Sequence, residues 1–126
     1  MKSFISALII GAVIVFGSIA YTSHLEEISK RLLECNSEIE TLIRNDRYDS
    51  AEQLIKEMSE YIKSKESVLA ATGNHEEIDK IEINLAELTE YAAECCKADT
   101  LTKIKTLNIL FRHLPKNYKL RPENIL

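Results

Sequence analysis

Apolar and polar positions divide this chain into two unequal parts. Between Lys2 and Glu26 no Asp, Glu, Lys or Arg occurs, and the run Ser3 to Ser23 (SFISALIIGAVIVFGSIAYTS) is apolar almost throughout. As a helix rising 1.5 Å per residue it spans roughly 30 Å, the thickness of a bilayer's hydrocarbon core. A helix buried in a soluble core normally keeps a polar stripe, and this one has none over about five turns. Beyond it the apolar residues recur every three or four positions between charged ones, the pattern of helices with one buried face.

The first such stripe, Leu25, Ile28, Leu32, Cys35, Ile39 and Leu42, continues directly out of the apolar run, so one helix is predicted to leave the membrane unbroken. Asn45 ends it, and Asp46 with Asp49 forms a cap arrangement for a second helix carrying Tyr48, Ala51, Ile55, Met58, Ile62 and Leu69. Gly73 suits a helix end, and Asn74 with Glu77 caps a third helix along Ile78, Ile81, Leu85, Leu88, Ala92 and Cys95. Asp99 opens a fourth, whose apolar face is Leu101, Ile104, Leu107, Leu110, Phe111 and Leu114 and which Pro115 stops.

The fold class expected is therefore all-α: an N-terminal transmembrane helix continuing into a small antiparallel bundle of three to four helices. Residues 1–23 form the anchor, or an uncleaved signal sequence, and residues 24–126 the bundle domain. With three glycines and two prolines in 126 residues, the chain lacks the turn residues that β-rich folds use. A secretory signal with its small-x-small cleavage site at Ser18-Ile19-Ala20 is the competing reading of the apolar run. The anchor is favoured because the run is longer than a usual signal core and continues past Ala20 into Tyr21, an aromatic where interfacial aromatics lie.

Charge bears on orientation and on partners. The chain has 16 Lys and Arg against 20 Asp and Glu, and the part beyond the anchor is net acidic, which gives no footprint for nucleic acid. A leading tail as short as Met1-Lys2, followed by an acidic domain, favours the N-terminus in the cytoplasm and the bundle outside. Positive charge collects late: residues 100–126 hold Lys103, Lys105, Arg112, Lys116, Lys119 and Arg121 against Glu123 alone. Out-and-back helices return that segment toward the membrane, where it either lies along anionic lipid or forms a solvated basic tail that offsets the acidic helices.

Candidate chemistry is sparse. His75-Glu76-Glu77 starts like a zinc-protease motif, but position 79 is Asp where the second His is required. Three cysteines, Cys35, Cys95 and Cys96, have neither an even count nor a zinc spacing. They are expected as free thiols, Cys35 and Cys95 on helix seams and Cys96 more exposed. The chain is expected not to be an enzyme: no nucleophile-base pairing, phosphate-cradling loop or cofactor fingerprint is present, and neither catalytic nor cofactor-binding residues are assigned. The out-and-back order places His24, His75 and His113 at the membrane-proximal end. A metal set of His75, Asp79, Glu82 and His113 is the alternative, against the simpler reading of these as helix-end residues.

The runs NHEEIDKIEINLAEL (Asn74 to Leu88), ILFRHLP (Ile109 to Pro115) and LRPENIL (Leu120 to Leu126), with the lone span and the helix opening NDRYDSAEQLIKEM, resemble a known family. It comprises short, single-span, membrane-anchored helical proteins of Gram-positive spore-forming bacteria, catalogued as a domain of unknown function. Tyr48 stands where members often have Trp. The resemblance implies a bacterial membrane protein with a helical domain and supplies no catalytic residues. The function expected is a membrane-tethered, extracytoplasmic helical module, an accessory or interaction partner of another membrane or envelope protein, in contact with membrane lipid.

Overall fold

The computed structural model describes residues 2–71 and 74–115. Five helices follow one another: α1 (Lys2–Arg44), α2 (Tyr48–Ser64), α3 (Glu66–Ala70), α4 (His75–Ala93) and α5 (Lys97–His113). The fold is all-helical, as the periodicity predicts, and no strand occurs among the described residues. α1 packs on α2 and α5, and α4 packs on α5 and α2, so the four long helices close a ring in the order α1, α2, α4, α5. Short connections make each antiparallel to the next. α3 is a single extra turn at the end where α2 hands over to α4.

α1 runs 43 residues without interruption, about 65 Å at the helical rise. Its apolar first half is exposed from Phe4 to Ile19: Phe4 is 70% exposed and Phe16 71%. Its second half is the most deeply embedded helix of the bundle, with Leu25, Ile28, Leu32, Ile39 and Ile43 all but sealed from solvent. The buried face is wider than the spacing of Leu25, Ile28, Leu32, Cys35, Ile39 and Leu42 suggests. Asn36 and Ile43 are fully buried, whereas Cys35 and Leu42 are half-buried. α1 faces two neighbours at once, and the side toward α5 runs through Ser29, Asn36 and Ile43.

Two polar staples bind α1 to α5. The Ser29 hydroxyl donates to the Phe111 carbonyl at 2.6 Å, and Asn36 Nδ2 donates to the Ile104 carbonyl at 2.9 Å and to Asn108 Oδ1 at 2.8 Å. Ser29 and Asn36 are two helical turns apart, as are Ile104 and Phe111, so the pairs match in only one antiparallel register. Phe111, the largest sealed side chain, fills the core beside the first staple.

The helix ends depart from expectation in three places. Asp46 does not cap α2; it adopts a left-handed conformation (φ 58°) as the residue that closes α1, with Arg47 N donating to Leu42 O and Asp46 N to Ile43 O. A reversal this tight requires one left-handed residue, and with no glycine nearby the short polar side chain takes the position. Cys95 does the same after α4 (φ 56°), with Cys96 N bonded to Tyr91 O and Cys95 N to Ala92 O. The N-caps of α2 and α5 are Arg47 and Cys96, neither with a side-chain cap bond, so α5 begins at Lys97 and Asp99 lies in its first turn. The Asn74 cap is as expected: its Oδ1 accepts from Glu77 N.

The stretch from Tyr48 to Leu69 is likewise two helices rather than one. Lys65 falls where the next seam residue after Ile62 belongs, and the helix breaks there (φ −103°, ψ 10°). The break turns Leu69 into the core and leaves the Lys65 ammonium over the Tyr61 ring, 5.8 Å from its centre. Leu114 is buried one residue beyond α5, and Pro115 follows it.

Asn36 supplies two hydrogen bonds from a fully buried site, and Asn36→Ala is expected to lower stability by about 1–3 kcal/mol. Asn108→Ala, at a half-buried position, leaves the Ile104 bond in place and should cost distinctly less. Urea unfolding of both variants measures this; equal losses would mean that Asn36 does not hold the register through Ile104.

Candidate functional site

The bundle offers three places for function: the end at which the apolar stem leaves it, its thiols and its open seams. At the first, the Tyr21 hydroxyl donates to the Val68 carbonyl, tying α3 to the point where α1 leaves the apolar run. His24 lies half-buried nearby on α1, while His75 and His113 are exposed at the start of α4 and the end of α5. Asp79 and Glu82 are exposed on α4 as well. Among the described residues no group of three or more His, Cys, Asp or Glu side chains converges as a set of metal ligands, so His75, Asp79, Glu82 and His113 are not brought together. His75 lies in the first turn of α4 beside its Asn74 cap, and His113 in the last turn of α5.

All three cysteines are free, and the order of their exposure corrects the sequence reading. Cys95 is exposed and Cys96 half-buried, because Cys95 is the left-handed closing residue rather than a seam residue of α4. Cys35 lies in a groove of about 320 Å³ between α1 and α2, among Arg31, Glu38, Glu57 and Tyr61. Burial pushes its thiol up to about 11, the carboxylates of Glu38 and Glu57 add to this, and Arg31 opposes it. Such a thiol is protonated at neutral pH and a poor nucleophile. The Arg31 guanidinium sits over the Tyr61 ring at 5.1 Å, on the wall of the same groove. Burial also raises the Tyr61 phenol; Arg31 lowers it and Glu27 raises it.

The next seam round the ring is hollow as well. Between α2 and α4 runs a groove of about 360 Å³ whose floor is Ile62, Leu69, Ile78 and Leu85, and a second hollow of about 330 Å³ continues it toward the far end. Ser59 and Thr89 line both. Small or short side chains at Ser59, Ala86 and Thr89 face each other here, so the helices meet without filling the space between them. Glu52, Glu60, Glu66 and Glu82 stand along it, with Lys56 and Lys63. Periodicity alone missed this seam: Ser59 and Thr89 lie beside the stripes Ile55, Met58, Ile62 and Leu85, Leu88, Ala92, which run on unbroken.

An antiparallel four-helix bundle carried on an apolar stem is the class of protein these features define. Residues 19–125 match the family described as a domain of unknown function, DUF4363, and the chain belongs to that family. No curated protein and no solved structure matches it.

Thiol reactivity follows from this geometry. At pH 8 iodoacetamide should modify Cys95 first, Cys96 more slowly and Cys35 last, since a thiol titrating near 11 is about 0.1% thiolate at that pH. Peptide mass mapping over a time course gives the order; early labelling at Cys35 would contradict its burial. Because Cys35 ionises more readily in the unfolded chain, from 9.0 upward, than in the fold, stability should fall as pH rises from about 9 to about 11. Cys35→Ala should make that fall shallower.

Proposed function

We propose that this protein is a membrane-tethered, non-catalytic helical module that acts as an accessory or interaction partner of another membrane or envelope protein. The observation that carries the reading is the division of α1 into an exposed apolar half and a buried half. Ten large apolar side chains from Phe4 to Ile19 are exposed on it. At about 1.5–3 kcal/mol each, leaving them in water forgoes roughly 15–30 kcal/mol, more than the net stability of a typical small domain. They require lipid or protein cover. The helix is long and apolar enough to cross a membrane.

Because the same helix is the central element of the bundle, the domain is coupled to the anchor without a flexible joint. The Tyr21–Val68 bond supports this coupling, holding α3 and the α2–α4 return close to the end of the apolar run. In this reading the bundle lies outside the cytoplasm, in keeping with the acidic balance of the domain that follows the apolar run. Raised thiol pKa and solvated carboxylates favour a binding role over chemistry.

An impermeant maleimide on intact cells should label Cys95, the exposed thiol. Labelling only after lysis would reverse the orientation. The membrane-bound form should have the mass of a chain retaining its apolar run, and a species beginning at Tyr21 would replace the anchor by a cleaved signal. Photocrosslinking in native membranes, followed by mass spectrometry, should yield a reproducible membrane or envelope partner; recovery of monomer alone would remove the accessory role.

The Tyr21 tie is checked separately. Tyr21→Phe should speed amide exchange across Glu66–Ala70 while changing global stability by only about 0.5–1.5 kcal/mol. Unchanged exchange in α3 would show that Tyr21 does not hold it.

A further inference from the structure

Outside the apolar stem, two large apolar side chains are exposed among the described residues, Ile83 at 59% and Ile109 at 53%. Each lies on the outward face of its helix. On α4 the exposed positions Glu76, Asp79, Ile83, Ala86 and Glu90 follow at spacings of three and four, and on α5 so do Ala98, Thr102, Lys105, Ile109 and Arg112. The first face is acidic and the second basic. Among the described residues Glu76, Asp79, Glu90, Lys105 and Arg112 have no ion pair. We propose that α4 and α5 together form the interface of a parallel homodimer, with α4 of each copy lying against α5 of the other.

The pairing follows from symmetry and from the register of α4 on α5. Two copies carry their stems into one membrane in the same direction, so a two-fold axis relating them runs along the membrane normal and hence along the helices; this step rests on the anchor reading above. Such an axis, placed beside the α4/α5 face, sets each α4 opposite the partner copy's α5 and keeps every residue at its own height. Lys103 fixes the heights, reaching Glu87 at 3.1 Å and Asn84 at 3.4 Å. Arg112, nine residues beyond Lys103, is therefore level with residues 75–78, nine before Asn84 and Glu87. By the same count Ile109 lies within about one helical turn of Ile83. Across the axis Arg112 meets Glu76 and Asp79, and Ile83 meets Ile109. The face is thus complementary to itself, whereas α4 against α4 would oppose carboxylates. Two helices about 26 Å long and about 10 Å apart offer roughly 500 Å² per copy, less than the ~800 Å² of a free-standing complex. Holding both stems in one membrane raises the local concentration and favours so small a contact.

The test uses the full chain in membranes, with Cys35, Cys95 and Cys96 replaced by Ala, Asn and Ser, as two differently tagged copies. One carries Ile83→Cys and the other Ile109→Cys. Under mild oxidation the mixed 83–109 disulfide should form at least about tenfold faster than the 83–83 or 109–109 disulfide of chains carrying one of these substitutions alone. Arg112→Glu in both copies should slow it at least about tenfold, and adding Glu76→Arg with Asp79→Arg should restore it to within about threefold, at unchanged helicity. Equal rates for the three pairings, or a charge reversal that restores nothing, would overturn the proposal. Crosslinks to a different protein alone would overturn it in favour of a heterologous partner. Fractionation separates the two readings: membrane-bound chains that do not pair overturn the interface and leave the anchor, whereas paired chains in the soluble fraction overturn the anchor and uphold the interface.

Discussion

Everything in this bundle is positioned by the way α1 is pinned to α5. Ser29 and Asn36 are seven residues apart on one helix, and their acceptors, the carbonyls of Phe111 and Ile104, are seven apart on the other. Sliding one helix past the other by a turn would strand a buried hydroxyl and a buried amide against apolar side chains. Each stranded group costs about 1–3 kcal/mol. Apolar contacts alone tolerate such slips, since Leu, Ile and Ala stripes mesh in several offsets. The two polar residues thus select one register among several that the hydrophobic pattern permits. The height of Phe111, the placement of α4 through its turn onto α5, and the direction in which the chain leaves α5 all follow.

That pinning also makes α1 a member of two environments. Its first half has the composition of lipid, its second half the burial of a core helix, and nothing in between permits a hinge: there is no proline, and the backbone stays helical from Lys2 to Arg44. By contrast, α2 meets α4 across short side chains and leaves a groove. The ring is pinned at the α1/α5 seam and open at the α2/α4 seam opposite it. The two left-handed residues that close α1 and α4, Asp46 and Cys95, both lie at the far end of the bundle, and Lys97 braces that end by donating to Asp46 Oδ1 at 3.0 Å and to the Arg44 carbonyl at 3.2 Å.

Much of the candidate site lay beyond periodicity because it depends on small differences in rotation. Cys35 and Asn36 are adjacent, yet the thiol faces the α1/α2 groove and the amide faces α5. Which of the two is sealed depends on where α2 and α5 stand around α1, and that angle is not written in the spacing of Leu25, Ile28 and Leu32. Cys95 and Cys96 exchanged their expected exposures for a related reason. A helix stripe was extended one residue too far, through a position that the tight reversal required for its left-handed residue.

By itself the sequence determined the apolar stem, its continuity with the first bundle helix, the number of long helices, the Asn74 cap and the alternation of direction. These are local properties: composition over twenty residues, a period of three to four, and a polar side chain at a helix start. Only the tertiary structure decided that Asn36 lies at the centre of an interface, that the helix breaks at Lys65, and that Arg31 lies over Tyr61 across the α1/α2 seam while short side chains leave the adjacent α2/α4 seam open. Each of these is set by how several helices share a limited volume, and a single helix's pattern carries no information about the shape left between its neighbours.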